Sequence, residues 1–253
     1  MATLYIVIPV LNEAGNIARL LADLNSLAPR VADEFAARLL LVDDGSSDGT
    51  GDLARAHAGA LPLEVLRHER PCGPGAAFGT AFAALAGRLQ PDDWVVTMEG
   101  DNTSRVETLL QMLTRRREGF DVVLASPYAY GGGIDNTPML RVFMSHMANT
   151  LVKELMGIRG ILTMSSFFRL TSAPMLMRLQ ERWGPRILEA TGFECMVELL
   201  WKYIQERAAV SEVAMALDTS RRVGRSKMKV MRTALRYVRL IFTIRRWRRE
   251  RRT

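Results

Sequence analysis

The stretch that most limits how this chain can fold is residues 39–50, LLLVDDGSSDGT. Leu39, Leu40, Leu41 and Val42 form an unbroken apolar run, the pattern of a strand buried on both faces in a parallel sheet. The run stops at Asp43, and residues 43–50 are all turn and cap chemistry. Gly45 and Gly49 permit positive φ, while Ser46, Ser47, Asp48 and Thr50 can each cap a following helix. Carboxylates at the carboxyl end of a parallel strand stand where open α/β sheets bind ligands. A solvated loop would read the same way in isolation, so the flanking sequence decides.

That sequence repeats one alternation. A buried strand over 4–10 meets Pro9 and a polar Asn12-Glu13 loop, then a helix with Ile17, Leu20, Leu21 and Leu24 at 3–4 spacing. After the 39–42 strand come a helix over 52–57 and a strand over 63–66. The glycine loop and small-residue helix of CGPGAAFGTAFAALAG follow. A strand over 94–98 ends in Glu99-Gly100-Asp101, and a helix over 106–117 and a strand over 121–126 complete the series. Such βα alternation predicts a mainly parallel sheet covered on both faces. The 253 residues suffice for one α/β domain with a full core.

The second half differs in character. Gly131-Gly132-Gly133 reads as a flexible loop, and residues 139–156 as a long, largely apolar helix. A helix over 193–207 and a strand over 209–217 finish the domain. Over 228–247 the pattern is amphipathic: Met231, Leu235, Val238, Ile241 and Phe242 share one face, and Lys229, Arg232, Arg236 and Arg239 another. A basic helix of that kind lies in a membrane interface rather than across it. Residues 221–253 hold 14 Lys/Arg and one acid, Glu250, so a net charge of +7 hides a body of −6 and a tail of +13. The tail therefore meets an anionic surface, nucleic acid or membrane phosphate. Cys72 and Cys195 belong to no Cys/His spacing motif, which predicts a reducing compartment and no zinc. A strand begins at Leu4, leaving no room for a signal peptide, and no run of about 18 apolar residues would span a bilayer.

Chemistry concentrates at Glu99-Gly100-Asp101. Two acids at i, i+2 on a strand's rim can hold a hard divalent cation, whose other ligands are then phosphate oxygens. Gly100 lets a bulky ligand approach the backbone. Asp43 and Asp44 lie at the same end of the same predicted sheet, which points to a metal-nucleotide site.

Seven motifs occur in order between residues 4 and 227: IVIPVLNEAGNI, LLLVDDGSSDGT, MEGD, SPYAYGGG, MSSFFRL, GFECMVELL and RRVGRSK. The chain thereby resembles the family 2 inverting glycosyltransferases, in particular polyprenyl-phosphate (dolichol-phosphate) mannose synthases. The resemblance implies a GT-A type, Rossmann-like α/β fold with a catalytic domain over 1–220. Residues 221–253 form a basic segment that closes over the donor, followed by an amphipathic membrane-surface helix. It implies a metal-dependent hexosyltransferase, using Mg²⁺ or Mn²⁺, that moves mannose from GDP-mannose to a polyprenyl monophosphate. A peripheral position on the cytoplasmic face of a membrane goes with that activity.

Roles follow by position. Pro9, Asn12 and Glu13 match the first nucleotide loop, Asp43 the acid on the base or ribose, with Asp44 and Gly75 in the same donor set. Asp101 matches the metal-binding acid, and Glu99 replaces its usual partner. Arg141 and Ser145 match residues that hold an acceptor phosphate; Arg169 holds phosphate or orients a loop. Arg222 and Lys227 fall in the segment that closes over the donor pyrophosphate. Three positions depart from the family: Pro74 replaces a loop lysine, Pro127 an arginine, and Thr103 stands where a glutamine metal ligand can occur. Rival readings are a UDP-sugar donor, a saccharide or protein hydroxyl acceptor with Glu194 as base, and a nucleic-acid-binding protein using the tail.

Overall fold

The computed structural model describes residues 1–137, 139–224 and 230–250, the side chains of 140–146, 148, 151, 230–232, 234 and 248–250 lying outside that description. The first half runs β1 (Ala2–Val10), α1 (Ala14–Val31), β2 (Phe35–Asp43), α2 (Thr50–His57), β3 (Leu63–Arg67), α3 (Pro74–Leu85), β4 (Trp94–Thr97), α4 (Val106–Arg115) and β5 (Val122–Ser126). The second half adds β6 (Gly133–Asp135), α5 (Met139–Met156), β7 (Arg169–Ser172), α6 (Ala173–Trp183), α7 (Cys195–Gln205), β8 (Val210–Ala214), β9 (Ala216–Asp218) and α8 (Val230–Glu250).

Seven strands form one sheet in the order β3-β2-β1-β4-β7-β5-β8. Every pair is parallel except the two made by β7, which runs antiparallel between β4 and β5. The expected α/β architecture with a mainly parallel sheet is present. Burial on both faces is visible along β1: Ile6 and Ile8 pack on one side with Ile17, Leu20 and Leu24 of α1, while Val7 joins the core on the other. That second core holds Phe78 and Phe82 of α3 and Leu199 and Trp201 of α7. It also takes Leu240, Ile244 and Trp247 of α8, so the inner face of the basic tail helix is continuous with the core beneath the sheet.

Local structure departs from the sequence reading in two places. The predicted 209–217 strand is two strands, β8 in the main sheet and β9 in a separate parallel pair with β6. Residues 169–183, left unassigned by the apolar pattern, form β7 and α6. Ser172 caps α6 by accepting the Met175 N–H at 3.4 Å, and Pro174 occupies its first turn.

Candidate active site

β1 pairs with β2 on one side and β4 on the other, all three parallel, so the chain reverses its winding direction there. Loops leaving the carboxyl ends of such strands diverge and leave a crevice. A cleft of about 580 Å³ occupies that position, walled by Pro9–Glu13, Asp44, the 71–74 loop, Glu99–Asp101 and residues 222–224.

The loops after β1 and β2 are buttoned together by the 43–50 motif. Ser46 Oγ accepts the Asn12 N–H at 2.9 Å, Thr50 Oγ1 the Glu13 N–H at 2.8 Å, and Asp48 the Ala14 N–H at 3.0 Å. Ser47 N–H in turn donates to Asn12 Oδ1 at 2.8 Å. Cap residues expected to serve the helix that follows them thus also serve the start of α1; at α2 itself Gly49 is the N-cap, with φ +80°, and Asp48 accepts the Thr50 N–H at 3.1 Å.

The paired acids divide. Asp43 is buried, accepts the Ser46 N–H at 2.8 Å and lies 3.8 Å from Arg67 Nε; it is not among the residues lining the cleft. Asp44 lines the cleft and holds its neighbouring loop, taking the backbone N–H groups of Cys72 and Gly73, each at 2.8 Å. His68 donates from Nδ1 to the same carboxylate at 2.7 Å, and its Nε2 lies 2.9 Å from Thr80 Oγ1. Folding therefore gathers Asp44, His68 and Cys72, with one donor atom from each lying within 4.8 Å of the others. With both imidazole nitrogens engaged, the group works as a hydrogen-bonded latch on the 71–74 loop. Gly75 lies behind that loop: its N–H donates to Thr191 at 2.9 Å, and a Cβ there would overlap the Ala190 carbonyl.

Glu99 and Asp101 face the cleft from the end of β4. Asp101 is nearly fully fixed. Its Oδ1 accepts from Thr103 Oγ1 at 2.5 Å and Thr103 N at 3.1 Å, and its Oδ2 accepts from Arg222 Nε at 2.6 Å and also pairs with Arg222 Nη2. Glu99 Oε2 accepts from Ser104 at 2.6 Å. Enclosure by the cleft walls, then the negative charge of Asp101, push the Glu99 carboxyl up to about 7. The rise reflects burial first and the crowding of two acids second. Hard oxygen donors on one floor, with an arginine already drawn onto one of them, fit a divalent cation.

Arg222 arrives on a strap, residues 219–224, tied across the cleft mouth. Asn16 grips its backbone from both sides, donating to Val223 O at 3.1 Å and accepting the Val223 N–H at 2.9 Å, and Arg221 pairs with Asp23 at 3.1 Å. Beyond the strap, α8 adds Thr233 and Arg236 to the wall, near Phe167 and Phe193, whose rings stack 5.5 Å apart. Burial pushes Tyr237 up to about 12, so it is a neutral partner for Ser165 and pins this part of α8.

Of the residues expected at the site, Pro9, Asn12, Glu13, Asp44, Glu99, Asp101 and Arg222 share the cleft. Arg169 does not: it is buried in β7 and donates to the carbonyls of Ser166 at 2.7 Å and Met164 at 2.9 Å, which is the loop-orienting alternative. Arg141 and Ser145 fall on α5, where their side chains lie outside the description, and Lys227 lies outside the described residues altogether. Glu194 is buried, accepts the Gly192 N–H at 3.1 Å and is not a lining residue. Sequence reasoning missed Phe167, Phe193, Thr233 and Arg236 as wall residues; Phe167 and Phe193 lay inside motifs already singled out, but nothing in their spacing marked a cleft.

Comparison with known proteins agrees with this geometry. The model of the family described as Glycosyl transferase family 2 matches residues 5–179. The polyprenol monophosphomannose synthase of Mycolicibacterium smegmatis is 30% identical over 233 residues, 88% of this chain and 80% of that protein. The dolichol-phosphate mannosyltransferase of Pyrococcus furiosus is 27% identical over 244 residues, 96% of this chain and 63% of that protein. Among solved structures, glucosyl-3-phosphoglycerate synthase from Mycobacterium tuberculosis, in complex with Mn²⁺, UDP and phosphoglyceric acid, superposes with a TM-score of 0.63. It is 21% identical, the match covering 96% of this chain and 77% of that one. A strand order that reverses beside β1, acids at the end of β4 and a family match over most of the chain together identify a glycosyltransferase of family 2, with a GT-A type fold.

Proposed function

We propose that the protein moves a hexose, mannose from GDP-mannose in the first instance, onto a polyprenyl monophosphate at a membrane surface. One observation carries the reading: Glu99, Asp101 and the Arg222 bonded to Asp101 line a cleft that also touches α8, a helix with an apolar outer face. Acids beside an arginine suit a metal-bound diphosphate, and an exposed apolar helix suits a lipid neighbour. The mannosyl transfers named for the M. smegmatis and P. furiosus relatives support the choice of sugar and lipid.

In this reading Pro9, Asn12, Glu13 and Asp44 cradle the nucleotide, with Asp43 and Gly75 shaping the pocket from behind. Asp101, with Glu99, would hold Mg²⁺ or Mn²⁺, which when bound supplies charge that stabilises a departing diphosphate. Arg222 presents N–H donors to the same diphosphate, and Lys227 extends that cationic segment. The acceptor phosphate is already an anion near neutral pH, its second pKa being about 6. One of its oxygens forms the bond to the anomeric carbon as the bond to the diphosphate oxygen breaks, and the configuration inverts. No general base is required, which suits a Glu194 turned away from the cleft. Residues 1–220 carry the chemistry, and 221–253 the donor closure and membrane contact.

α8 supports the membrane half of the proposal in a form the sequence did not give. Leu235, Val238 and Phe242 are 66%, 50% and 63% exposed, whereas Ile241, expected on the same face, is buried. Arg239, Arg245 and Arg246 are exposed around them. That arrangement lays an apolar strip flanked by cations against anionic headgroups, worth about 1 kcal/mol per basic residue. Among the described residues no helix is long and apolar enough to cross a membrane.

A panel of nucleotide sugars with Mn²⁺ and a short polyprenyl phosphate, scored for lipid-linked sugar, tests the reading. Product from GDP-mannose that disappears in Asp101→Asn is expected. Donor binding without lipid-linked product from any sugar would exclude this acceptor.

A further inference from the structure

Among the described residues, two arginines line the cleft, and they come from different segments. Arg222 is committed to Asp101. Arg236, on α8, has a looser hold, its Nη1 lying 3.8 Å from Glu194 Oε1. Three features prepare its position. Gly192 leaves the space that the guanidinium fills: a Cβ at 192 would overlap Arg236 Nη1 and come within 3.0 Å of Cζ. The backbone of Gly192 is not in the positive-φ region, so the glycine there serves space rather than conformation. Behind it, Glu194 is buried, its Oε1 accepting the Gly192 N–H and facing Arg236 Nη1, and its Oε2 lacking a hydrogen-bond partner among the described residues. Finally, the side chain of Arg236 is 29% exposed, open enough to meet a ligand while its helix is anchored in the core.

The position of Arg236 on α8 indicates which ligand. That helix carries the exposed apolar strip of Leu235, Val238 and Phe242 on one face and the cleft residues Thr233 and Arg236 on another, so one element serves both. A lipid docked on that strip would bring its phosphate to the element that supplies Arg236. The loop leaving β5, Ser126-Pro127-Tyr128, offers no cation of its own. We infer that Arg236 binds a phosphate monoester, the attacking group of the acceptor, and is an acceptor-positioning residue supplied by the tail helix. The inference rests on the acceptor class proposed above and narrows it to one side chain.

The test uses the full chain with two variants, Arg236→Gln and Gly192→Ala. The second keeps the charge but displaces the guanidinium together with the Glu194 carboxylate behind it. Each is titrated with a short-chain polyprenyl monophosphate in micelles, with inorganic phosphate, and with GDP plus Mn²⁺. Loss of a charge-assisted bidentate contact predicts phosphate monoester binding weakened about ten-fold or more in both variants. Affinity for GDP should stay within about two-fold of the parent. Arg236→Lys should recover part of the loss, since it restores charge without the planar fork. Unchanged phosphate binding in both variants would overturn the assignment, as would a loss confined to GDP, which would give Arg236 to the donor. If the parent binds inorganic phosphate through Arg236 but not the polyprenyl ester, the assignment stands and the lipid acceptor falls. If the parent binds neither, both fall.

Discussion

Glu99 and Asp101 sit two residues apart at the end of one strand, and their environments differ. Asp101 is neutralised by Arg222, whereas Glu99 is enclosed, near a like charge, and raised to about 7. The sign of the resulting pH dependence is fixed. The folded protein binds this proton more tightly than the unfolded chain, whose carboxyl has the ordinary value of 4.5. The stabilisation is therefore complete below about pH 4.5 and is lost as pH rises through about 7, by about 3 kcal/mol. Urea denaturation of EDTA-treated protein should show Glu99→Gln gaining stability over the parent at pH 8 but not at pH 4.5. Addition of Mn²⁺ at pH 8 should close that gap. Asp44 gives a second residue-scale expectation. Asp44→Asn removes an acceptor shared by His68 and two backbone N–H groups, so stability should fall by about 1–3 kcal/mol, read by thermal melting.

At the scale of elements, α8 has two apolar faces where the sequence pattern gave one. Val238 and Ile241 follow the same spacing, but only the packing of Leu240, Ile244 and Trp247 against α7 decides which of the two is covered. Trp247 also lies 5.4 Å from the Trp201 ring and 4.7 Å from the Lys202 ammonium. Lys202 is buried, paired with Glu198 at 2.5 Å, and donates to the carbonyl of Arg186 at 2.5 Å. Glu198 accepts the N–H of Ala190 at 2.7 Å, so the tail helix, α7 and the loop against Gly75 are one packed unit. Trp247→Ala should cost about 3–5 kcal/mol in a denaturant titration. Leu235→Glu with Phe242→Glu should leave the melt within about 0.5 kcal/mol and abolish flotation with anionic vesicles. The strand β7 was illegible for a physical reason: Arg169-Leu170-Thr171-Ser172 is four residues long, fully buried, and polar at three of its four positions. Its arginine donates through Nε and Nη2 to loop carbonyls, with Nη1 left without a partner among the described residues, and its threonine pairs with Tyr203 at 2.8 Å. No periodicity in the chain records such partners.

For the molecule as a whole, the strands through β5 and the acids at their ends were legible because each was written locally, as an apolar run closed by turn chemistry. The cleft itself was not. It is assembled from segments more than a hundred residues apart, Asp101 with Arg222 and Pro9 with Arg236, and their proximity follows from sheet order rather than from any spacing. The zipped loops show the same limit, since Ser46, Asp48 and Thr50 read as caps for α2, yet all three hold the start of α1 and only Asp48 also serves α2. The most direct test of the account is Mn²⁺-dependent binding of GDP to the parent protein and to Asp101→Asn, measured by calorimetry. The account predicts that Mn²⁺ tightens GDP binding to the parent and that this enhancement disappears in the variant, a loss of about ten-fold or more. Equal, Mn²⁺-enhanced binding by both proteins would contradict it.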